Sequence, residues 1–133
     1  MTYWDDSLLV GVSQIDSEHR KLLDMTGKLM EACTQGKGHA EITQIMKLIV
    51  SHAKDHIRNE ENLQQWHAYP GINAHKRAHA QLGMQLEALE KELATTGPNV
   101  ALTAKFNNTL VVWYINHINT EDKKLGEYIS SNP

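Results

Sequence analysis

Histidine and carboxylate side chains recur in this sequence at spacings that let one helix offer two ligands to one metal ion. His75 and His79 are four residues apart, and so are His56 and Glu60. Residues four apart share a helix face, roughly 40° from eclipsed. The first pair can present two imidazoles to one ion, and the second an imidazole and a carboxylate. His19 sits one turn into another helical stretch, and His117 and Asp122 lie in the last one. Five imidazoles and two carboxylates are too many donors for one ion and suit two, because a carboxylate has two oxygens and can bridge neighbouring metals. Such a set fits iron, zinc or manganese, and the lack of clustered thiolates argues against iron–sulfur clusters or structural zinc.

An isolated inward histidine in a helical bundle is more often a hydrogen-bonded core residue than a ligand. The case therefore rests on the whole set, with at least one member in every helical stretch. Eight histidines are present, and neutral imidazole is the commonest metal ligand. His39 and His67 fall at helix ends and read as solvated. His52 continues the four-residue ladder of His56 and Glu60; it could be a ligand, but reads first as a neighbour of the site or a surface residue. One spacing is awkward. His117 and Asp122 are five apart, roughly 140° around a regular helix. Both can face inward only across a break or π-bulge, which is expected between them.

Four helices must position these groups. Residues 1–15 read as an N-terminal arm, with the short apolar run Leu8-Leu9-Val10 broken by Gly11. Asp16 is expected to cap a helix over about 17–35, whose stripe is Leu22, Leu23, Met25, Leu29 and Met30 and which Gly36-Lys37-Gly38 ends. A second helix is expected over 39–66, with Ile42, Ile45, Met46, Ile49, Ala53, His56, Glu60 and Leu63 inward. Tyr69-Pro70-Gly71 then turns the chain. A third helix over 73–94 carries His75, His79, Leu82, Leu86 and Leu89, and a fourth over 99–129 carries Leu102, Phe106, Leu110, Trp113 and His117. Short connections make this an all-α, antiparallel up-down-up-down four-helix bundle, one domain over 1–133.

The 133 residues can bury a core without staples. Net charge −3 gives no electrostatic case for nucleic acid or an anionic membrane. No apolar run approaches the ~18 residues of a membrane span, and the acidic start lacks the character of a signal peptide. A single cysteine, Cys33, excludes an internal disulfide and fits a reducing cytoplasm.

The motifs resemble those of the hemerythrin family, in its single-domain bacterial form. The likeness runs from Val10-Gly11-Val12 and Ile15-Asp16-Ser17-Glu18-His19 through His56-Ile57-Arg58-Asn59-Glu60-Glu61. It continues in Tyr69-Pro70 and His75-Lys76-Arg77-Ala78-His79, and ends in Trp113-Tyr114-Ile115-Asn116-His117-Ile118 and Asp122. This resemblance implies two non-haem iron ions with an oxo or hydroxo bridge. His75, His79 and His117 would bind one iron, and His19 and His56 the other, which keeps an open position. Glu60 and Asp122 would bridge the pair. Dioxygen would bind reversibly at the open iron, both irons being oxidised and the bound species a hydroperoxide.

A dioxygen pocket should be dry and apolar, and Leu23, Ile57, Trp113 and Tyr114 are its expected lining. Tyr114 departs from the family, which usually has leucine there; its hydroxyl could occlude the site, donate a hydrogen bond or supply a ligand. His52 and Ile57, where relatives often carry aromatic residues, are milder departures. The resulting expectation is a monomeric, cytoplasmic, non-enzymatic oxygen carrier, store or delivery protein, able to serve an oxygen-consuming enzyme. The alternatives are a di-iron oxidase or peroxidase, and an oxygen or redox sensor acting through a partner. Ferritin-like di-iron enzymes use Glu-x-x-His pairs, and this chain has none.

Overall fold

Apolar residues returning every three or four positions wind the chain into four rods. The computed structural model describes residues 3–132, so the first two residues of the expected arm and the last residue of the chain lie outside it. Helix α1 spans Ser13–Thr34, α2 His39–Trp66 and α3 Ile72–Thr96. The fourth rod joins α4 (Val100–Asn107), a π-helical segment (Asn108–Trp113), α5 (Tyr114–His117), a second π segment (Ile118–Asp122) and α6 (Lys123–Ser131). No strand occurs among the described residues.

Side-chain pairs between rods give their directions. From α2 to α3, Lys54 meets Glu90 and Glu61 meets His79, so numbers rise on one helix as they fall on the other. From α3 to the fourth rod the pairs are Glu92 with Lys105, Gln85 with Thr109 and His75 with His117. From α1 to the fourth rod they are Cys33 with Thr103 and His19 with Asp122. Glu18, early in α1, reaches His56 and Asn59, late in α2. Neighbouring rods therefore run antiparallel and the fourth closes back on α1, giving an all-α four-helix bundle.

The rod ends follow local chemistry. After α1, Gly36 takes φ +67° and the Lys37 N–H donates to the Ala32 carbonyl, a glycine-dependent stop. Asn99 caps α4 by accepting from the Leu102 N–H at 2.8 Å. Helix α1 begins four residues before the expected position, and Asp16 is not its cap. Asp16 lies inside the first turn, where its carboxylate accepts from the Val10 and Gly11 N–H groups at 2.8 and 3.2 Å. It ties the arm to the helix, and the N-cap residue is Val12, which makes no side-chain cap.

That arm is part of the core. Leu8 and Val10 are buried with Ile15 and Leu125. Gly126 admits it, since a Cβ there would run into the Val10 carbonyl. Deeper in the bundle, Leu22, Leu23, Leu29, Met46, Ile49, Ala53, Leu82, Leu86, Leu102, Phe106 and Leu110 pack together. Met25, Met30, Ile42, Ile45 and Leu63, expected inward, sit at the core's margin, whereas Val50 is fully inside. At 3.6 residues per turn an apolar stripe drifts around a long helix, so its outer members are only partly covered.

Candidate metal centre

One layer of the bundle is polar instead of apolar. His19 from α1, His56 and Glu60 from α2, His75 and His79 from α3, and His117 and Asp122 from the fourth rod are all buried there. Their donor atoms fall into two overlapping groups. Glu60, His75, His79, His117 and Asp122 form one, and His19, His56, Glu60 and Asp122 the other, with atoms in each group within 4.8 Å of one another. Glu60 and Asp122 belong to both. Five imidazoles and two carboxylates, each singled out by spacing, are thus brought together in one place.

The second π segment makes this possible. An i→i+5 helix turns through about one full circle over five residues. Across Ile118–Asp122 it returns Asp122 to the face of His117, and His117 Nε2 lies 3.1 Å from Asp122 Oδ1. The expected irregularity lies where it was needed. The first π segment, just before Tyr114, has no counterpart in the sequence reading.

Donor atoms here face acceptors. His56 donates its Nδ1–H to Glu18 Oε1 at 2.6 Å, and His79 donates its Nδ1–H to Glu61 Oε2 at 3.0 Å. In a neutral imidazole this leaves only a lone pair on Nε2. His56 Nε2 nevertheless lies 3.0 Å from Glu60 Oε2, and His79 Nε2 3.1 Å from Glu60 Oε1. His75 Nε2 is 2.8 Å from both Glu60 and Asp122, and 3.1 Å from His117 Nε2. His19 Nε2 is 3.0 Å from Asp122. Lone pair against lone pair is repulsive unless a cation lies between. Both nitrogens of His19, His56 Nε2 and the carboxylate oxygens of Glu60 and Asp122 are buried without a well-formed hydrogen bond. Each such group costs about 1–3 kcal/mol if nothing satisfies it. The donor set fits metal ions.

Protons respond to the same conflict. Burial alone would lower His56, but hydrogen bonds to Glu18 and Glu60 overcome it and push the imidazole up to about 10. Burial likewise opposes His75, which Asp122 and Glu60 push up to about 9. His19 also rises, Asp122 and Glu60 outweighing burial. Burial would raise Glu60, yet four surrounding imidazoles hold it well below the usual carboxylate range. Asp122 is lowered too, against burial and the charge of Glu60. A metal binding here takes the place of protons.

Around these groups lie residues of different character. Tyr114 is 1% exposed, with its ring edge-on to His19 at 5.4 Å and to His56 at 6.0 Å between centroids. Its hydroxyl is buried and has no hydrogen-bond partner. Burial, with the charges of Asp122 and Glu60, raises its pKa well above the ordinary phenol. Trp113 is half-buried and stacks on His117 at 5.1 Å, on the three-imidazole side. Ile57 is half-buried in the wall of a shallow groove that reaches His79. Leu23 is fully buried one turn beyond His19.

Three functional neighbours escaped the sequence reading. Glu18 and Glu61 each flank a site residue in sequence, but a neighbouring position points roughly 100° away on a helix. They therefore serve imidazoles on other helices. Asn59 steadies Glu18 by donating to its Oε2 at 3.1 Å. The available signal was that a metal-bound imidazole usually donates its other N–H to a carboxylate. Gln64 is buried four residues beyond Glu60, and its amide finds no partner in the protein. Of the remaining histidines, His39 is exposed at the start of α2 and His67 caps its end. His52 is half-buried, and burial and the charge of Lys21 lower its pKa.

Residues 10–129 match the family model described as the hemerythrin HHE cation binding domain. The chain is 30% identical over 119 residues to a bacteriohemerythrin of Pseudomonas aeruginosa (strain LESB58), covering 90% of this chain and 75% of that one. It is 26% identical over 132 residues to a bacteriohemerythrin of Methylococcus capsulatus (strain ATCC 33009 / NCIMB 11132 / Bath), covering 98% of each. It is 26% identical over 122 residues to a myohemerythrin of Riftia pachyptila, covering 91% of this chain and 88% of that one. The matched stretch runs past both ends of the polar layer, from before His19 to beyond Asp122, and on that ground the chain belongs to the hemerythrin family.

Proposed function

We propose that this protein binds dioxygen reversibly at a non-haem di-iron centre, as an oxygen carrier, store or delivery protein and not as an enzyme. The observation that carries this reading is the sharing of Glu60 and Asp122 by two sets of imidazoles. His75, His79 and His117 would hold one iron and His19 and His56 the other, with the two carboxylates bridging. The second group has one protein donor fewer, so an iron held there would keep a position for an outside ligand. When bound, the two ferrous ions supply the electrons that dioxygen takes up and returns.

The chain's own residues do the rest. Glu18 and Glu61 fix the tautomers of His56 and His79 so that Nε2 faces inward. On the His19–His56 side Leu23 and Tyr114 close the pocket and keep water from it, whereas Ile57 and Trp113, expected in the same lining, lie toward His79 and His117 on the other half. All seven ligands come from one chain, so a monomer suffices. The lone free cysteine, Cys33, fits the cytoplasm, and no helix among the described residues is long and apolar enough to cross a membrane.

Metal analysis joined to optical spectra tests this. The reduced, iron-loaded protein should hold two irons per chain and gain a charge-transfer band in air that vanishes when oxygen is removed. One metal per chain, zinc, or an irreversible change on exposure to air would defeat the carrier. Irreversible change with continued oxygen consumption would point to an oxidase.

A further inference from the structure

Tyr114 sets its ring against the half of the centre that has fewer protein donors, and its hydroxyl is buried and unpartnered. Its ring meets His19 and His56 edge-on, at interplanar angles of 87° and 90°. The hydroxyl has essentially no contact with solvent and no partner within the protein. A phenylalanine would fill the same space without an unsatisfied polar group. Trp113, the adjacent aromatic, lies against His117 on the other half.

We propose that the Tyr114 hydroxyl is the hydrogen-bond donor for an outside ligand bound on the His19–His56 side. The site would therefore select small ligands whose far atom accepts a hydrogen bond. The inference rests on the di-iron reading above and adds to it a residue that determines ligand preference. A neutral phenol has one O–H to give, and neither Glu60 nor Asp122 takes it. A small anion bound on that half, with its far atom within reach of the phenol, would satisfy it. Donation to a charged acceptor in a site closed to water is stronger than the same contact in solvent. The ligand should accordingly be held longer, with its dissociation most affected.

Azide serves as the probe, with the full chain loaded with iron and oxidised. Iron content and helicity are measured first for the native protein, Tyr114→Phe and Tyr114→Leu. Azide affinity then follows from optical titration, and its antisymmetric stretch from infrared spectra in H2O and D2O. Native protein should show a stretch that shifts in D2O, and both variants should lose the shift and bind azide about tenfold more weakly. Equal affinity and unchanged spectra in Tyr114→Phe would overturn the proposal. So would tighter binding in Tyr114→Leu with Tyr114→Phe unchanged, which marks the ring as an obstacle only. A phenolate-to-iron band in azide-free native protein, absent from Tyr114→Phe, would make Tyr114 a ligand and also overturn it. Failure of all three proteins to take up two irons, visible before azide is added, would remove the di-iron reading and the proposal with it.

Discussion

His117 Nε2 lies 3.1 Å from Asp122 Oδ1 although the residues are five apart. The π-helical segment Ile118–Asp122 brings them together, and Asp122 is then shared by both donor groups. Its carboxylate also faces His19 and His75. Asp122→Asn keeps the shape and removes the charge. The expected result is a folded bundle that no longer holds two irons per chain, read by metal analysis and circular dichroism together. Full occupancy in the asparagine variant would show that Asp122 does not bridge.

Glu18 and Glu61 should matter through the imidazoles they hold. Each accepts from an Nδ1–H, at 2.6 Å from His56 and 3.0 Å from His79. Glu18→Gln and Glu61→Gln should each weaken iron binding by roughly 10–100-fold. Competition with a chelator reads this directly. The Glu18 change should act on the His19–His56 half and the Glu61 change on the other. Both variants retaining native affinity would make these carboxylates ordinary surface groups.

Removing the metal should make stability depend on alkaline pH. His56 is raised to about 10 and His75 to about 9, from an ordinary value of 6.5. A raised imidazole contributes stability that is complete below 6.5 and is lost as pH climbs toward 9 and 10. Glu60 and Asp122 are lowered, so their contribution is present above 4.5 and 3.8 and is lost as pH falls below those values. The melting temperature of iron-free protein should peak at about pH 5–6 and drop by several degrees toward pH 9.5. Iron binds the deprotonated imidazoles and should abolish the alkaline drop. A flat iron-free profile from pH 6 to 9.5 would contradict this.

The arm should depend on one missing side chain. A Cβ at position 126 would strike the Val10 carbonyl. Gly126→Ala should cost about 1–3 kcal/mol in thermal or urea unfolding. Asp16→Ala, which loses the acceptor for the Val10 and Gly11 N–H groups, should cost about 1 kcal/mol. Because both changes free the same strap, the double variant should lose less than the sum. Full additivity would mean that the two contacts act independently.

Much of this protein is legible along the chain. The four rods follow from apolar periodicity, and their boundaries from Gly36, Pro70 and Asn99, because those signals are local. The four-residue steps from His56 to Glu60 and from His75 to His79 show that each pair shares a helix face, for the same reason. Even the irregular fourth rod is implied, since no regular helix turns both His117 and Asp122 inward. What only the tertiary structure decided depends on contacts between helices. Glu18 and Glu61 point away from their own helix's ligands and find imidazoles across an interface. Asp16 reads locally as a cap and instead holds the arm, because the arm docks on Gly126, more than a hundred residues away. The two aromatic neighbours Trp113 and Tyr114 part to opposite halves of the centre, since consecutive residues project roughly 100° apart on a helix. Their separation sets the Tyr114 ring beside the two-imidazole half and Trp113 against the other, a division absent from the shared pocket lining that the sequence led one to expect.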